Sequence, residues 1–316
     1  MRIVSLLPSL TEICFTLGLG HQLVAVTHEC DFPDSARQLP HVTRSILPDD
    51  LTDSREIDRQ VTAATAAGRP LYELDVERLR QLQPDLILTQ DLCHVCAVSA
   101  DEVRRIASSL EPVPDVVSIE PSTLGGVIES VKTIGERADR RATADAVIAA
   151  LNQRIERIRE QVARTEHRNR VVCLEWLDPP MVAGHWVPEM VEIAGGVDPL
   201  GTPGERSFEV SWQDVIDAEP ETIVLMPCGY DLQETVAEVD RLVDQSNAIP
   251  PTIDLTPAVR DGHVCAVDGS AYFSRPGPRL VAGLEMLTGI LHAELAVSHT
   301  PRGSVEPVHL APASVR

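Results

Sequence analysis

Two thiols and an imidazole lie within four residues of one another, at Cys93, His94 and Cys96. They follow an apolar run at residues 85–90, which predicts a buried strand. The Cys-x-x-Cys spacing supplies half of a structural zinc site, which needs four ligands. The sequence contains no second pair with this spacing, so a zinc or iron ion held by the protein would need distant ligands such as His28.

Four interpretations of this motif remain open. The motif could hold a metal ion directly, or the two cysteines could form a redox-active disulfide. The thiols could also pack as small apolar groups in the wall of a pocket. Finally, a thiolate or an imidazole could be an axial ligand to cobalt or iron in a bound cofactor.

The charge of the chain excludes several classes of partner. Of its 316 residues, 27 are Lys or Arg and 48 are Asp or Glu, which gives a net charge of −21. Nucleic acids and anionic lipid surfaces both need a basic partner, so neither is expected to bind. The sequence contains no apolar run of about 18 residues, so we expect no membrane span. We also expect a monomer.

The first residues bear on the location of the protein. They predict a strand followed by a capped helix, rather than a charged segment, a long apolar run and a cleavage site. We therefore expect a cytoplasmic protein. A leader that has been removed, or a start that has been wrongly assigned, would instead make the protein periplasmic or extracytoplasmic.

One pattern of helix and strand occurs twice in the sequence. Residues 75–93 (DVERLRQLQPDLILTQDLC) align with residues 211–229 (SWQDVIDAEPETIVLMPCG). Each predicts a capped short helix, a Pro-acidic turn and an apolar strand. Continuous apolar runs are typical of strands that are buried on both faces, as in parallel sheets. The sequence therefore predicts two Rossmann-like α/β lobes with parallel-type sheets.

The predicted lobes cover residues 1–121 and 169–298. Residues 122–168 are predicted to connect them, and apolar side chains recur there every three or four residues. This period predicts one long helix at about 142–164. Residues 299–316 lack periodicity and are expected to form a disordered tail.

Several segments resemble the helical-backbone (class III) substrate-binding proteins of ABC importers, and most of all their cobalamin-binding branch. The segments are RIVSLLPSLTEICFTLGLGHQLVAVTHECDFP, LDVERLRQLQPDLIL, DPPMVAGHWVPEMVEIAGG and RPGPRLVAGLEML. The resemblance covers about residues 1–295. It implies a non-catalytic protein that binds cobalamin or a related corrinoid in a cleft between two lobes. Haem or a siderophore, or a zinc or iron ion held by the protein, are the alternatives.

Ligands of α/β proteins bind beyond the carboxyl ends of the strands, so the residues after each predicted strand are the candidate ligand contacts. Six of the ten aromatic residues are found there, which suits a large, flat and partly apolar ligand such as a corrin. For the two tryptophans in this set, packing in the core of the second lobe is the alternative. The candidates are His28, Glu29, Cys30, Asp91, Cys93, His94, Cys96, Trp176, His185, Trp186, Cys228, Tyr230, Tyr272, Phe273 and Arg275.

The resemblance also implies an ABC permease as a partner, which is bound through a surface glutamate on each lobe. Glu77 matches this position in the first lobe. The repeat places Gln213 at the equivalent position of the second lobe, with Asp214 beside it. No hydrolase motif, phosphate-binding loop or zinc-protease motif is present in the sequence, so we expect no enzyme activity.

Replacing both Cys93 and Cys96 by serine tests the role of the motif. If the thiols contact a metal-containing ligand, the double variant should bind hydroxocobalamin at least about tenfold more weakly, because thiolates are strong ligands of late transition metals. If the thiols instead hold a metal ion, the double variant should lose zinc or iron. A titration followed by visible absorption, together with metal analysis, measures both. An unchanged affinity and an unchanged metal content would support the packing interpretation.

Overall fold

The structure is a computed structural model that describes residues 1–48, 51–90, 98–245, 248–295 and 303–310. Its internal contacts divide these residues into two units. Unit 1 consists of Met1–Thr52, Glu56–Pro121 and Gly125–Ala150. Unit 2 consists of Asp53–Arg55, Ser122–Leu124 and the described residues from Leu151 onward. The sequence-based division differs, since it makes 122–168 a separate segment.

Short apolar runs form the strands in the first half of the chain. These strands are β1 (Ile3–Ser5), β2 (Leu23–Ala25), β3 (Thr43–Ser45), β4 (Tyr72–Leu74), β5 (Leu86–Thr89) and β6 (Asp115–Ser118). Four of them form a parallel sheet in the order β2-β1-β5-β6. The other two, β3 and β4, pair antiparallel as a separate two-stranded ribbon.

Helices cover both faces of the parallel sheet of unit 1. The helices in this half of the chain are α1 (Pro8–Thr16), α2 (Ser54–Ala66), α3 (Val76–Leu82), α4 (Ala100–Ala107), α5 (Leu124–Arg137) and α6 (Arg141–Val162). Ile3 and Leu86 pack with residues of α1 and α5. Val4 and Ile87, the next residues along each strand, pack with residues of α3 and α4. Burial on both faces is the reason that these strands have continuous apolar sequences.

Unit 2 contains a larger sheet. Its strands are β7 (Val171–Leu177), β8 (Pro180–Val182), β9 (Phe208–Glu209), β10 (Thr222–Leu225), β11 (Val264–Val267) and β12 (Val305–Pro307). They lie in the order β12-β11-β10-β7-β8-β9. The pairs β11–β10 and β10–β7 are parallel and the other three pairs are antiparallel, so the sheet is mixed rather than purely parallel. The predicted α/β class is confirmed.

The helices of unit 2 follow or precede its parallel strands. They are α7 (Val187–Ile193), α8 (Trp212–Asp217), α9 (Leu232–Asp244), α10 (Pro257–Asp261), α11 (Gly269–Tyr272) and α12 (Leu280–Leu291). Val172, Leu174 and Ile223 pack on one face of the sheet with residues of α8 and α9. The candidate contacts of this unit lie at the end of β7 and in the segments that follow β8, β10 and β11.

The repeated sequence pattern forms the same helix start in both units. Asp75 caps α3, because its carboxylate accepts a hydrogen bond of 2.9 Å from the Arg78 amide. Ser211 caps α8 in the same way, through a bond of 3.1 Å from the Asp214 amide. Such caps satisfy amides that have no partner within the helix.

The repeat also ends both helices in the same conformation. Gln83 and Glu219 occupy equivalent positions and have left-handed backbones, with φ of 44° and 45°. A proline follows each of them, at Pro84 and Pro220. A residue before proline is disfavoured in the helical region, so the helix stops there and the buried strand can begin.

The C-terminal segment differs from the prediction. A disordered tail is expected for residues 299–316, but Val305–Pro307 form β12 and pair antiparallel with β11. Val308 and Leu310, which follow the strand, are buried. The segment satisfies backbone groups of β11 that an edge strand would leave unpaired.

The 22-residue helix α6 belongs to both units, with residues up to Ala150 in unit 1 and residues from Leu151 in unit 2. Within unit 2, Arg154 of α6 donates two hydrogen bonds to the carboxylate of Glu285 in α12, of 2.9 and 2.7 Å. The Glu285 side chain is only 4% exposed. Among the described residues, none of the helices combines the length and the apolar character that a membrane span requires.

The pair of Arg154 and Glu285 should contribute to the stability of unit 2. Arg154→Ala should lower the free energy of unfolding by about 3–5 kcal/mol, because the buried carboxylate loses the positive charge and the two hydrogen bonds of Arg154. The exposed pair of Lys132 and Glu129 serves as the control. Lys132→Ala should change the free energy of unfolding much less, because solvent screens an exposed ion pair. Urea denaturation measures both, and equal effects of the two variants would contradict a stabilising role of the buried pair.

Candidate ligand-binding site

The loop after β2 brings His28 and Glu29 to the carboxyl end of the unit 1 sheet. His28 is half-buried, and its ring Nδ1 lies 2.8 Å from the hydroxyl of Thr43 on β3. The same hydroxyl accepts a hydrogen bond of 3.3 Å from the His28 amide. The Glu29 amide donates to the hydroxyl of Thr27 at 3.2 Å. The loop is therefore held mainly by side-chain hydroxyl groups.

Tyr72 on β4 is a site residue that is not among the candidates predicted from the sequence. Its ring lies 5.6 Å from the His28 ring at an interplanar angle of 43°. Its hydroxyl donates a hydrogen bond of 2.9 Å to Oε1 of Glu29. The only signal in the sequence is that Tyr72 is one of ten aromatic residues, because β3 and β4 are too short to show a pattern.

A small cavity lies against this group of side chains. Its volume is about 10 Å³, and Thr27, His28, Glu29, Thr43 and Tyr72 contribute to its lining. This volume is at the lower limit for a single water molecule. Any larger ligand would lie against these residues rather than within the cavity.

Cys30 lies inside unit 1, with 3% of its surface exposed. Its thiol contacts the hydroxyl groups of Thr11 at 3.1 Å and of Thr27 at 3.3 Å. Cys30 also packs in the apolar core of unit 1. This burial favours a role in holding the loop, rather than the ligand contact that the sequence predicts.

The Cys-x-x-Cys motif and the residue Asp91 lie outside the described residues. The four candidates concerned are Asp91, Cys93, His94 and Cys96. Within the described ranges, no group of three or more His, Cys, Asp or Glu side chains is arranged to hold a metal ion. The metal site of Cys93, Cys96 and His28 thus stays a prediction.

In unit 2, Trp176 and Tyr230 form an aromatic pair near the carboxyl ends of β7 and β10. Their ring centroids are 5.6 Å apart at an angle of 70°, which is an edge-to-face contact. Burial is the main cause that raises the pKa of Tyr230, so the phenol stays protonated at neutral pH. The indole Nε1 of Trp176 is shielded from solvent and has no hydrogen-bond partner among the described residues.

His185 lies in the next loop, between β8 and α7. Its backbone is left-handed, with φ of 56°, and its Nε2 is buried with no hydrogen-bond partner in the described part of the chain. Burial, and then the positive charge of Arg206, lowers the pKa of His185. The imidazole is therefore neutral at neutral pH and retains one nitrogen that can accept.

Trp186 and Phe273 are part of the interior of unit 2. They are 5% and 2% exposed, and the indole Nε1 of Trp186 donates a hydrogen bond of 2.7 Å to the Phe273 carbonyl oxygen. Packing in the core is the alternative that the sequence allows for Trp186, and the structure favours packing for both residues. A ring of this size fills core volume efficiently once its N–H is satisfied.

The remaining candidates of unit 2 are more accessible. Tyr272 is half-buried, and the guanidinium carbon of Arg279 lies 5.8 Å from its ring centroid, a cation–π contact. Arg275 is half-buried in the turn before α12. Cys228 is exposed, and its amide donates a hydrogen bond of 2.9 Å to the carbonyl oxygen of Glu175.

The two positions that are predicted to contact an ABC permease differ in their surroundings. Glu77 is exposed, and Arg80 donates a hydrogen bond of 2.6 Å to its carboxylate. In unit 2, Gln213 donates a hydrogen bond of 2.7 Å to Asp217. The Asp214 carboxylate accepts hydrogen bonds from the hydroxyl and the amide of Ser211, and these lower the pKa of Asp214. Asp214 is therefore engaged in capping its own helix.

The chain is similar to known proteins over most of its length. The family model described as "Periplasmic binding protein" matches residues 3–271. The vitamin B12-binding protein of Yersinia pestis (strain Pestoides F) is 25% identical over 229 residues, which are 71% of this chain and 69% of that protein.

Two solved structures share the fold. The periplasmic heme-binding protein RhuT from Roseiflexus sp. RS-1 has a TM-score of 0.68 and 22% identity, over 92% of this chain and 98% of that chain. The periplasmic vitamin B12-binding protein BtuF of Vibrio cholerae has a TM-score of 0.64 and 20% identity, over 92% and 96%.

Thiol alkylation tests the burial of the cysteines. In a Cys93→Ser, Cys96→Ser background at about pH 8, Cys228 should react fastest, because its thiol is exposed. Burial raises the pKa of Cys14 and of Cys265 to about 12, so both thiols stay protonated and unreactive until the protein unfolds. Peptide mass spectrometry after a brief treatment with iodoacetamide measures the order. Equal labelling of Cys14 and Cys228 in the folded protein would contradict it, and denatured protein is the control.

Proposed function

The chain belongs to the periplasmic binding protein family, as its sequence resemblance implies, and on that premise we propose that it binds cobalamin or a related corrinoid without catalysing a reaction. The observation that carries the proposal is the similarity to vitamin B12-binding proteins over 71% of the chain. The family is one of substrate-binding proteins, and ligand binding is what its members have in common.

The residues at the carboxyl ends of the strands support a large, partly apolar ligand. Unit 1 offers the rings of His28 and Tyr72, and unit 2 offers the edge-to-face pair of Trp176 and Tyr230. Aromatic faces and edges suit the flat surface of a corrin, and polar groups such as Glu29 suit its amide substituents. Tyr272 and Arg275 add a second aromatic ring and a positive charge in unit 2.

Haem is a second candidate ligand. RhuT, which shares the fold over 92% of this chain, is described as a heme-binding protein. His28 also favours a ligand with a transition metal, since imidazole nitrogen coordinates iron and cobalt alike. Arg275 could pair with a propionate of haem, whereas a corrin would offer it amide oxygens.

The family also supports an extracytoplasmic location and an ABC permease as partner. Both solved relatives are described as periplasmic, which favours the alternative location over the cytoplasmic one expected from the sequence. Glu77, exposed at the start of α3, is the acidic residue we propose for contact with a permease. The equivalent position of unit 2 is Gln213, so a permease would contact an uncharged amide there instead of a carboxylate.

Ligand titration tests the proposal. Hydroxocobalamin, and separately haemin, is added to the purified protein while the visible spectrum is recorded. We expect a shifted spectrum that stays with the protein through gel filtration. Trp176→Ala should weaken binding by about 10-fold or more, since loss of one aromatic contact costs about 1–3 kcal/mol.

A matched variant controls for a general effect of removing an aromatic side chain. Phe208 is 45% exposed on the edge strand β9, and Phe208→Ala should bind as the unmodified protein does. If neither compound stays with the protein, the proposed function is wrong. If haemin binds and hydroxocobalamin does not, the second candidate replaces the first.

A further inference from the structure

His28 is held in a way that leaves one of its ring nitrogens available. Nδ1 lies 2.8 Å from the Thr43 hydroxyl, whereas the described residues offer no hydrogen-bond partner to Nε2. The Thr43 oxygen has two lone pairs, so it can accept from both the His28 amide and an Nδ1–H group. With the proton on Nδ1, the lone pair of the neutral ring is on Nε2.

The support for His28 comes from one face of the ribbon of β3 and β4. In the register of these strands, Thr43 lies opposite Leu74, and Ser45 lies opposite Tyr72. Thr43 and Tyr72 are therefore diagonal neighbours that point to the same side. One of them bonds to the His28 ring, and the other packs its ring 5.6 Å away.

The Tyr72 ring is itself held in place. Its hydroxyl donates a hydrogen bond of 2.9 Å to Glu29, the residue next to His28 in the chain. On the other side of the ribbon, Arg44 and Glu73 form an ion pair across the strands. The imidazole is thus positioned by two strands that lie outside its own loop.

This arrangement suits a metal ligand when Nδ1 carries the proton. Metal-binding histidines have their second nitrogen bonded to an oxygen acceptor, which selects the tautomer and orients the ring. We infer that His28 coordinates, through Nε2, the metal of a bound tetrapyrrole that has an exchangeable axial position, with Thr43 and Tyr72 as positioning residues. This inference rests on the proposed function and specifies the class of ligand.

Cobinamide, a corrinoid without a nucleotide base, and haem both offer an exchangeable axial position of this kind.

Electron paramagnetic resonance of bound cob(II)inamide is the direct test. Cobinamide contains no nitrogen base, so nitrogen splitting of the cobalt signal must come from the protein. We expect a triplet in the unmodified protein and a doublet in protein labelled with ¹⁵N-histidine. His28→Ala should lose the splitting and bind about 10–100-fold more weakly, and Thr43→Val should bind about 10-fold more weakly.

Matched variants separate coordination from a structural role. His21 and His41 are exposed histidines of unit 1, and His21→Ala and His41→Ala should keep both the splitting and the affinity. Tyr72→Phe keeps the ring but removes the bond to Glu29, and should weaken binding while the splitting remains. Circular dichroism of each variant confirms that it is folded.

The outcomes distinguish this inference from the function on which it rests. Bound cob(II)inamide without nitrogen splitting, or with splitting that persists in His28→Ala, would overturn the coordination by His28 and leave the proposed function intact. Failure of cobinamide, hydroxocobalamin and haemin alike to bind would overturn both.

Discussion

Burial of parallel strands on both faces is the constraint on which both units depend. Strands such as β5 and β10 consist mainly of apolar side chains, because helices cover each side of the sheet in unit 1 and apolar side chains fill the interior of unit 2. Most polar side chains then lie at the ends of the strands and in the loops that follow them. Parallel strands all end at the same edge, so loops far apart in sequence meet there. The candidate ligand contacts of each unit share such an edge for this reason.

The loop after β2 shows how such an edge is stabilised. Its polar groups are paired with the hydroxyl groups of Thr11, Thr27 and Thr43, and with that of Tyr72. A buried polar atom without a partner costs about 1–3 kcal/mol, so these pairings decide whether the loop keeps one conformation. In unit 2, Trp176 and His185 each keep a buried nitrogen that has no partner among the described residues. A ligand or an ordered water molecule would satisfy them.

The aromatic residues of unit 2 divide between two roles that their types alone do not separate. Trp186 and Phe273 are joined by a hydrogen bond and contribute to the core, whereas Trp176 and Tyr272 are half-buried. The same residue type in the same set of loops thus contributes either to stability or to recognition. The difference depends on whether the polar atom of the ring finds a backbone partner inside the unit. For Trp186 it does, through the Phe273 carbonyl oxygen.

The sequence by itself determined the α/β class, the repeated helix and strand at 75–93 and 211–229, and the family. These depend on local signals, namely caps such as Asp75 and Ser211, the prolines at 84 and 220, and apolar runs whose period is visible within one element. Only the tertiary structure decided that Tyr72 meets Glu29 across 43 residues, that Thr43 holds His28, and that the C-terminal segment pairs with β11. These contacts join short strands and single side chains that are remote in the chain. Their partners are set by the register of strands and by the packing of whole elements, which leave no periodic trace in the sequence.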